Sequence, residues 1–117
     1  MTRINLQVAM KQLFGQYIKT LRVEKGFTLT QLGAKLGIDS ANLSKIENNK
    51  RDFDEKKLES LAEIFELNIE NLKTEFFGEY FAKKIYSSNC STNAFTIAEE
   101  KVKYLRQLDV KQGKLKL

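Results

Sequence analysis

Residues 29–48 read LTQLGAKLGIDSANLSKIEN, and this stretch decides the fold. Leu32, Leu36, Ile38, Leu43 and Ile46 recur at spacings that bring them to one core from two short helices. Gly37 lies between the helices, where the backbone must turn sharply and glycine meets no steric barrier. Gly33 falls where the helices cross, and a larger side chain there would push them apart. Thr28 precedes the first helix as its N-cap, and Gln31, three residues on, completes a capping box. Asp39 is the N-cap of the second helix. Asn48 and Asn49 end it, since asparagine tolerates the left-handed conformation common at a helix C-terminus. The second helix is thus held by its apolar side while its opposite side protrudes.

Outward from this stretch the pattern stays helical. Leu13, Phe14, Tyr17, Ile18 and Leu21 predict a helix over residues 7–25, ended by Gly26. Residues 50–53 form a connector. Asp54 caps a helix carrying Leu58, Leu61, Ala62 and Phe65, with a short break at Leu67 and Asn68. A fifth helix is expected over 69–86, with Leu72, Phe76, Phe77, Tyr80, Phe81 and Ile85 as a wide aromatic face. Gly78 inside it marks close packing or a kink. Residues 87–93 read as a polar loop. A last amphipathic helix over 94–108 carries Ile97, Ala98, Val102, Leu105 and Leu108 on one side.

Composition sets the boundaries. The chain has 117 residues, enough for one compact domain with an extension. Hydrophobic residues make up 42%, which supports a core, and proline is absent, which favours helices. There is no histidine and Cys90 is the sole cysteine. That excludes a disulfide within the chain, a Cys/His metal site and a histidine-based nucleophile. No Gly-rich phosphate loop is present, so neither enzymatic activity nor a cofactor nor a small-molecule ligand is expected. No apolar run approaches the ~20 residues that span a bilayer. Residues 1–10 hold one basic residue and no apolar segment, so neither a secretory signal nor a membrane partner is expected, and the cytoplasm is the expected compartment. Net charge is +5: 11 basic against 9 acidic groups in residues 1–66, and 9 against 6 in 67–117. This agrees with a nucleic-acid partner without demanding one.

The chain resembles the phage-repressor and Cro-like helix-turn-helix family, also called the XRE family. The resemblance is carried by residues 14–22 (FGQYIKTLR), 28–33 (TLTQLG) and 43–48 (LSKIEN), and by 61–65 (LAEIF) in the fourth helix. It implies an all-α fold: a five-helix repressor-like helix-turn-helix domain over 7–75, a C-terminal helical extension over 76–110, and a basic tail over 111–117. It further implies that double-stranded DNA is the partner. Base-edge contacts would come from Ser40, Ala41, Asn42 and Lys45, with Ser44 nearby. The chemistry agrees: Asn42 can pair with adenine, Lys45 can reach guanine, and Ala41 can meet a thymine methyl. Phosphate contacts are expected from Thr28, Thr30, Gln31, Asn48, Lys50 and Arg51, which set register without reading sequence. Arg22 and Glu47 resemble the family's structural ion pair between the first and third helices. Asp39 is read as a cap, because a carboxylate beside phosphate is repelled.

Phe76, Phe77, Tyr80, Phe81, Phe95 and Tyr104 carry more apolar surface than a lone hairpin hides. They are expected either to wrap the main core or to form a homodimer interface. A two-fold dimer reads two half-sites about 34 Å apart. The fifth and sixth helices also look similar to small regulators found beside restriction-modification genes. Two functions follow: a sequence-specific transcriptional regulator binding an inverted-repeat operator as a homodimer, or an antitoxin-like protein-interaction module working through the aromatic C-terminal helices. Cys90, in a polar stretch, is read as a spare thiol.

Overall fold

One fully buried side chain from each of four successive helices meets at the centre: Ile18, Leu32, Leu43 and Leu61. The computed structural model describes residues 12–112. Among these, all regular structure is helical. The elements are α1 (Phe14–Lys25), α2 (Leu29–Leu36), α3 (Ser40–Glu47), a 3₁₀ turn (Glu55–Lys57), α4 (Leu58–Phe65), α5 (Ile69–Ser88) and α6 (Asn93–Gln112). The chain divides into two compact units, one ending at Tyr80 and the other beginning at Phe81.

In the first unit, α1 packs on α3, and α2 packs on both α3 and α4. Phe14, Tyr17, Leu36, Ile46, Phe65 and Leu72 are among the other residues of this core. Deleting any one of the four central aliphatic side chains down to alanine costs about 2–5 kcal/mol, by the lost burial and the cavity left behind. Helix ends follow the sequence signals. Gly26 (φ 78°) and Gly37 (φ 69°) adopt the left-handed conformation after α1 and α2. Asn49 (φ 59°) does so after α3. The Thr28 hydroxyl accepts from the Gln31 N–H at 3.1 Å, and the Gln31 side chain accepts from the Thr28 N–H at 2.8 Å. The expected capping box is therefore present.

Two helix starts differ from the sequence expectation. The helix that ends at Lys25 starts at Phe14, because Leu13 is an extended N-cap, 48% exposed. Residues 7–11 lie outside the described part. No side chain caps α1 from within. Glu79, on α5, accepts the Phe14 N–H at 2.6 Å instead. Asp54 caps the 3₁₀ turn rather than α4 directly, accepting from the Lys56 N–H at 3.0 Å. The connector residue Phe53 is buried, its ring 5.8 Å from that of Phe14. Close packing does not account for Gly78: α5 runs through it, and a Cβ there would meet nothing within 4 Å.

The second unit contains the end of α5 and the whole of α6. Asn89 turns the chain with φ 55°, and the Ser91 hydroxyl accepts from the Asn93 N–H at 3.1 Å. Both helices are longer than the apolar pattern suggests, so only 89–92 remain as the connection. Ile85, Ala94, Leu105 and Leu108 are half-buried. Ile97, Ala98 and Val102, expected on the inward side of α6, are exposed. The expected tail begins inside α6 at 111–112, and residues 113–117 lie outside the described part. No described helix is long and apolar enough to cross a membrane.

Candidate nucleic-acid interface

Two residues without large side chains let α3 dock. A Cβ on Gly15, in α1, would collide with the backbone carbonyl of Ile46 in α3. A Cβ on Gly33, in α2, would collide with the carbonyl of Ile38 in the turn. Both positions need glycine for close approach, not for backbone freedom. Gly33 was legible as a place of close approach, although its neighbour is the turn at Ile38 and not α3 itself. Gly15 was not, because its partner lies 31 residues away in sequence and no local pattern marks it.

An ion pair fixes the rotation of α3. Arg22 donates from Nε to Glu47 Oε2 at 2.7 Å and from Nη2 to Glu47 Oε1 at 3.0 Å. Its Nη1 donates to the Phe27 carbonyl at 2.9 Å. The side chains are 13% and 3% exposed. The fork-on-fork geometry supplies direction as well as energy. At the other end of the motif, Lys57 Nζ, from the 3₁₀ turn, donates to the Leu36 carbonyl at 2.8 Å and closes the C-terminus of α2.

So held, α3 presents a polar crest. Leu43, Ile46 and Glu47 are buried. At 100° per residue, Ala41, Lys45 and Asn48 fall opposite them, and all three are exposed, as is Ser40. Ser44 and Asn42 are half-buried at the edges. Asn48 Nδ2 donates to the Ser44 carbonyl at 2.8 Å. Lys50 and Arg51 follow directly and are exposed. Thr30 is exposed at the start of α2, while the polar side-chain atoms of Thr28 and Gln31 serve the capping box. Eleven expected DNA-contacting residues therefore lie on α3, the start of α2, or the segment after α3. Asp39 accepts from the Asn42 N–H at 2.7 Å, in its capping role.

The four aromatic residues of α5 expected at a dimer interface have different surroundings. The Phe76 ring packs edge-on against Phe14 at 5.3 Å and against Phe77 at 5.2 Å, and both rings are half-buried. Tyr80 is 56% exposed, and Phe81, in the second unit, is 50% exposed. Also on α5, burial pushes the Glu75 carboxyl above its ordinary value, and the charge of Glu79 adds to this. Cys90 is exposed. Among the described residues, no group of three or more His, Cys, Asp or Glu is arranged to hold a metal.

A family model described as a helix-turn-helix domain matches residues 15–75. The chain is similar to the HTH-type transcriptional repressor RghR of Bacillus subtilis (strain 168), 29% identical over 111 residues, covering 83% of this chain and 82% of that protein. It is also similar to the uncharacterized HTH-type transcriptional regulator RghRB of the same organism, 40% identical over 60 residues, covering 50% of this chain and 43% of the relative. Among solved structures, the complex of the master regulator for biofilm formation SinR with DNA is 34% identical, with a TM-score of 0.43, covering 50% of this chain and 94% of that one.

Proposed function

Because the chain belongs to the XRE-type helix-turn-helix family of DNA-binding transcriptional regulators, we propose that it binds an inverted-repeat operator as a homodimer and acts as a repressor or autoregulator in the cytoplasm. The observation that carries this reading is the crest of α3. Ala41 and Lys45 stand exposed at its centre, while Leu43, Ile46 and the Arg22–Glu47 pair anchor the opposite side. In the proposed complex the crest enters the major groove. Ala41 and Lys45 meet base edges, with Ser40, Asn42 and Ser44 at the margins. Lys45 reaches guanine O6 and N7, and Ala41 packs on a thymine methyl. Thr28, Thr30 and Gln31 at the start of α2 face the backbone, where helix N–H groups attract phosphate. Asn48, Lys50 and Arg51 contact phosphates beyond the far end of α3.

Dimerisation supplies the specificity that one short helix lacks, because two half-sites one turn apart are read together. Tyr80 and Phe81, exposed on α5, support such an interface. Phe76 and Phe77 contribute mainly through the packing of α5 on α1. A second reading, in which the C-terminal helices engage a different protein, is favoured by the exposed Phe95 and Tyr104 of α6.

The test is binding to duplexes that differ at single positions. Lys45→Ala is expected to lose about 1–3 kcal/mol at one G·C position and little elsewhere. Equal loss on specific and unrelated duplexes removes Lys45 from the base-reading set. Sedimentation of the protein with one operator duplex is expected to show two chains per duplex, and a one-to-one complex overturns the dimer.

A further inference from the structure

The Asn42 side chain has both of its polar atoms engaged within the protein. Its Nδ2 donates to Asp39 Oδ2 at 2.9 Å, and its Oδ1 accepts from Arg51 Nη1 at 2.8 Å. Adenine recognition needs the same two atoms, one accepting from N6 and the other donating to N7. To read adenine, Asn42 must exchange these bonds or turn its second amide N–H and second oxygen lone pair toward the base.

Its position on α3 argues against that exchange. At 100° per residue, Asn42 is about 40° from Ile46, which is buried, and about 100° from Ala41 at the crest. The major groove is ~12 Å wide, and a helix with its side chains is ~10–12 Å across. Crest residues therefore meet base edges, while residues on the flank meet the phosphate walls. Arg51 comes to this same flank from the segment after α3. One corner of its guanidinium is fixed by Asn42, and its other N–H groups make no bond among the described residues. Guanidinium is the side-chain group best matched to phosphate oxygens. The Asp39 carboxylate uses one oxygen for the helix cap and the other for Asn42.

We propose that Asp39, Asn42 and Arg51 form a preset phosphate clamp. Arg51 makes the contact to DNA, and Asn42 is a positioning residue that holds the guanidinium and reads no base. The clamp rests on the proposed α3–groove docking. Fixing the long arginine side chain before binding reduces the ordering cost at the interface. The sequence information then comes from the crest, Ala41 and Lys45, and the Asp39–Asn42–Arg51 flank sets the register of that crest.

The experiment uses the full chain, a preferred duplex, its single-position variants and an unrelated duplex, between 50 and 200 mM salt. Arg51→Ala is expected to flatten the log affinity versus log salt slope by about one on every duplex. Asn42→Ala is expected to weaken all duplexes by a common factor, leaving their rank order intact. In the Arg51→Ala background, Asn42→Ala is expected to have no further effect. Selective loss at one A·T position in Asn42→Ala, with the slope unchanged, makes Asn42 a base reader and overturns the proposal. An unchanged slope in Arg51→Ala overturns it as well. Thermal melts confirm that the variants fold, and Arg51→Lys, which keeps the charge, is expected to restore the slope. If the wild-type chain ranks no duplex above another, the operator reading fails, and the slope on unrelated DNA still decides the clamp.

Discussion

Removing the Glu47 carboxylate is the perturbation whose cost follows most directly from the geometry. Glu47 is 3% exposed and takes two hydrogen bonds from Arg22, at 2.7 and 3.0 Å. Glu47→Leu leaves the Arg22 guanidinium with one neutral acceptor, the Phe27 carbonyl at 2.9 Å. Breaking a buried pair from one side costs about 3–5 kcal/mol, because an uncompensated charge stays behind. Arg22 keeps 13% exposure and so some access to water, which puts the expected loss near the lower end, about 3 kcal/mol. For a domain of roughly 60–100 residues, 1 kcal/mol moves Tm by about 4–8 °C, so the drop is roughly 12–24 °C. The double variant Arg22→Leu/Glu47→Leu removes both charges and is expected to be more stable than Glu47→Leu alone. Thermal unfolding followed by circular dichroism reads all three. A Glu47→Leu melt within about 4 °C of wild type, or a double variant that loses the sum of the two single losses, refutes the reasoning.

Other positions give equally direct tests. Gly15→Ala forces a methyl group against the Ile46 carbonyl. Despite alanine's better helix propensity, worth about 1 kcal/mol, it is expected to lower stability by at least 1 kcal/mol in urea unfolding and to weaken DNA binding through α3. Gly78→Ala meets open space within α5 and is expected to raise stability by about 0.5–1 kcal/mol in the same assay. The folded-state pKa of Glu75 is raised by burial and then by Glu79, so its charged form is penalised above that pKa. Stability falls as pH rises from the unfolded value near 4.5 through the raised folded one. Glu75→Gln is therefore expected to raise Tm at pH 7–8, with a gain that shrinks toward pH 4.5. An equal gain at both ends of that range contradicts the assignment.

Local chemistry in the sequence was enough for the helix-turn-helix unit. Thr28 with Gln31, Gly37 and Asp39 are signals whose partners lie within a few residues, and each makes its cap or turn in the structure. The periodic apolar residues of α2, α3 and α4 reach the core for the same reason. Long-range features were hidden. Nothing near Gly15 announces the Ile46 carbonyl, and nothing near Glu79 announces the α1 N-terminus 65 residues earlier. Phe53, in a polar connector, gives no periodic signal although its ring packs on Phe14. In α6 the apolar residues lie on more than one side, so the pattern did not separate half-buried Leu105 and Leu108 from exposed Ile97 and Val102. At the candidate interface, the residue types on α3 were legible, but the bond from Arg51 to Asn42 spans nine residues and a turn. Only coordinates bring those two side chains together.

The central claim, sequence-specific duplex recognition by the crest of α3, is tested most directly by selection from a random duplex pool at about 0.15 M salt, where weak non-specific binding is suppressed. Wild-type protein and Lys45→Ala would be run side by side. The expected result is an enriched inverted repeat with half-site centres about one helical turn apart, with Lys45→Ala losing preference at one base pair of each half-site. No enrichment with folded wild-type protein contradicts the claim, as does an unchanged motif in Lys45→Ala.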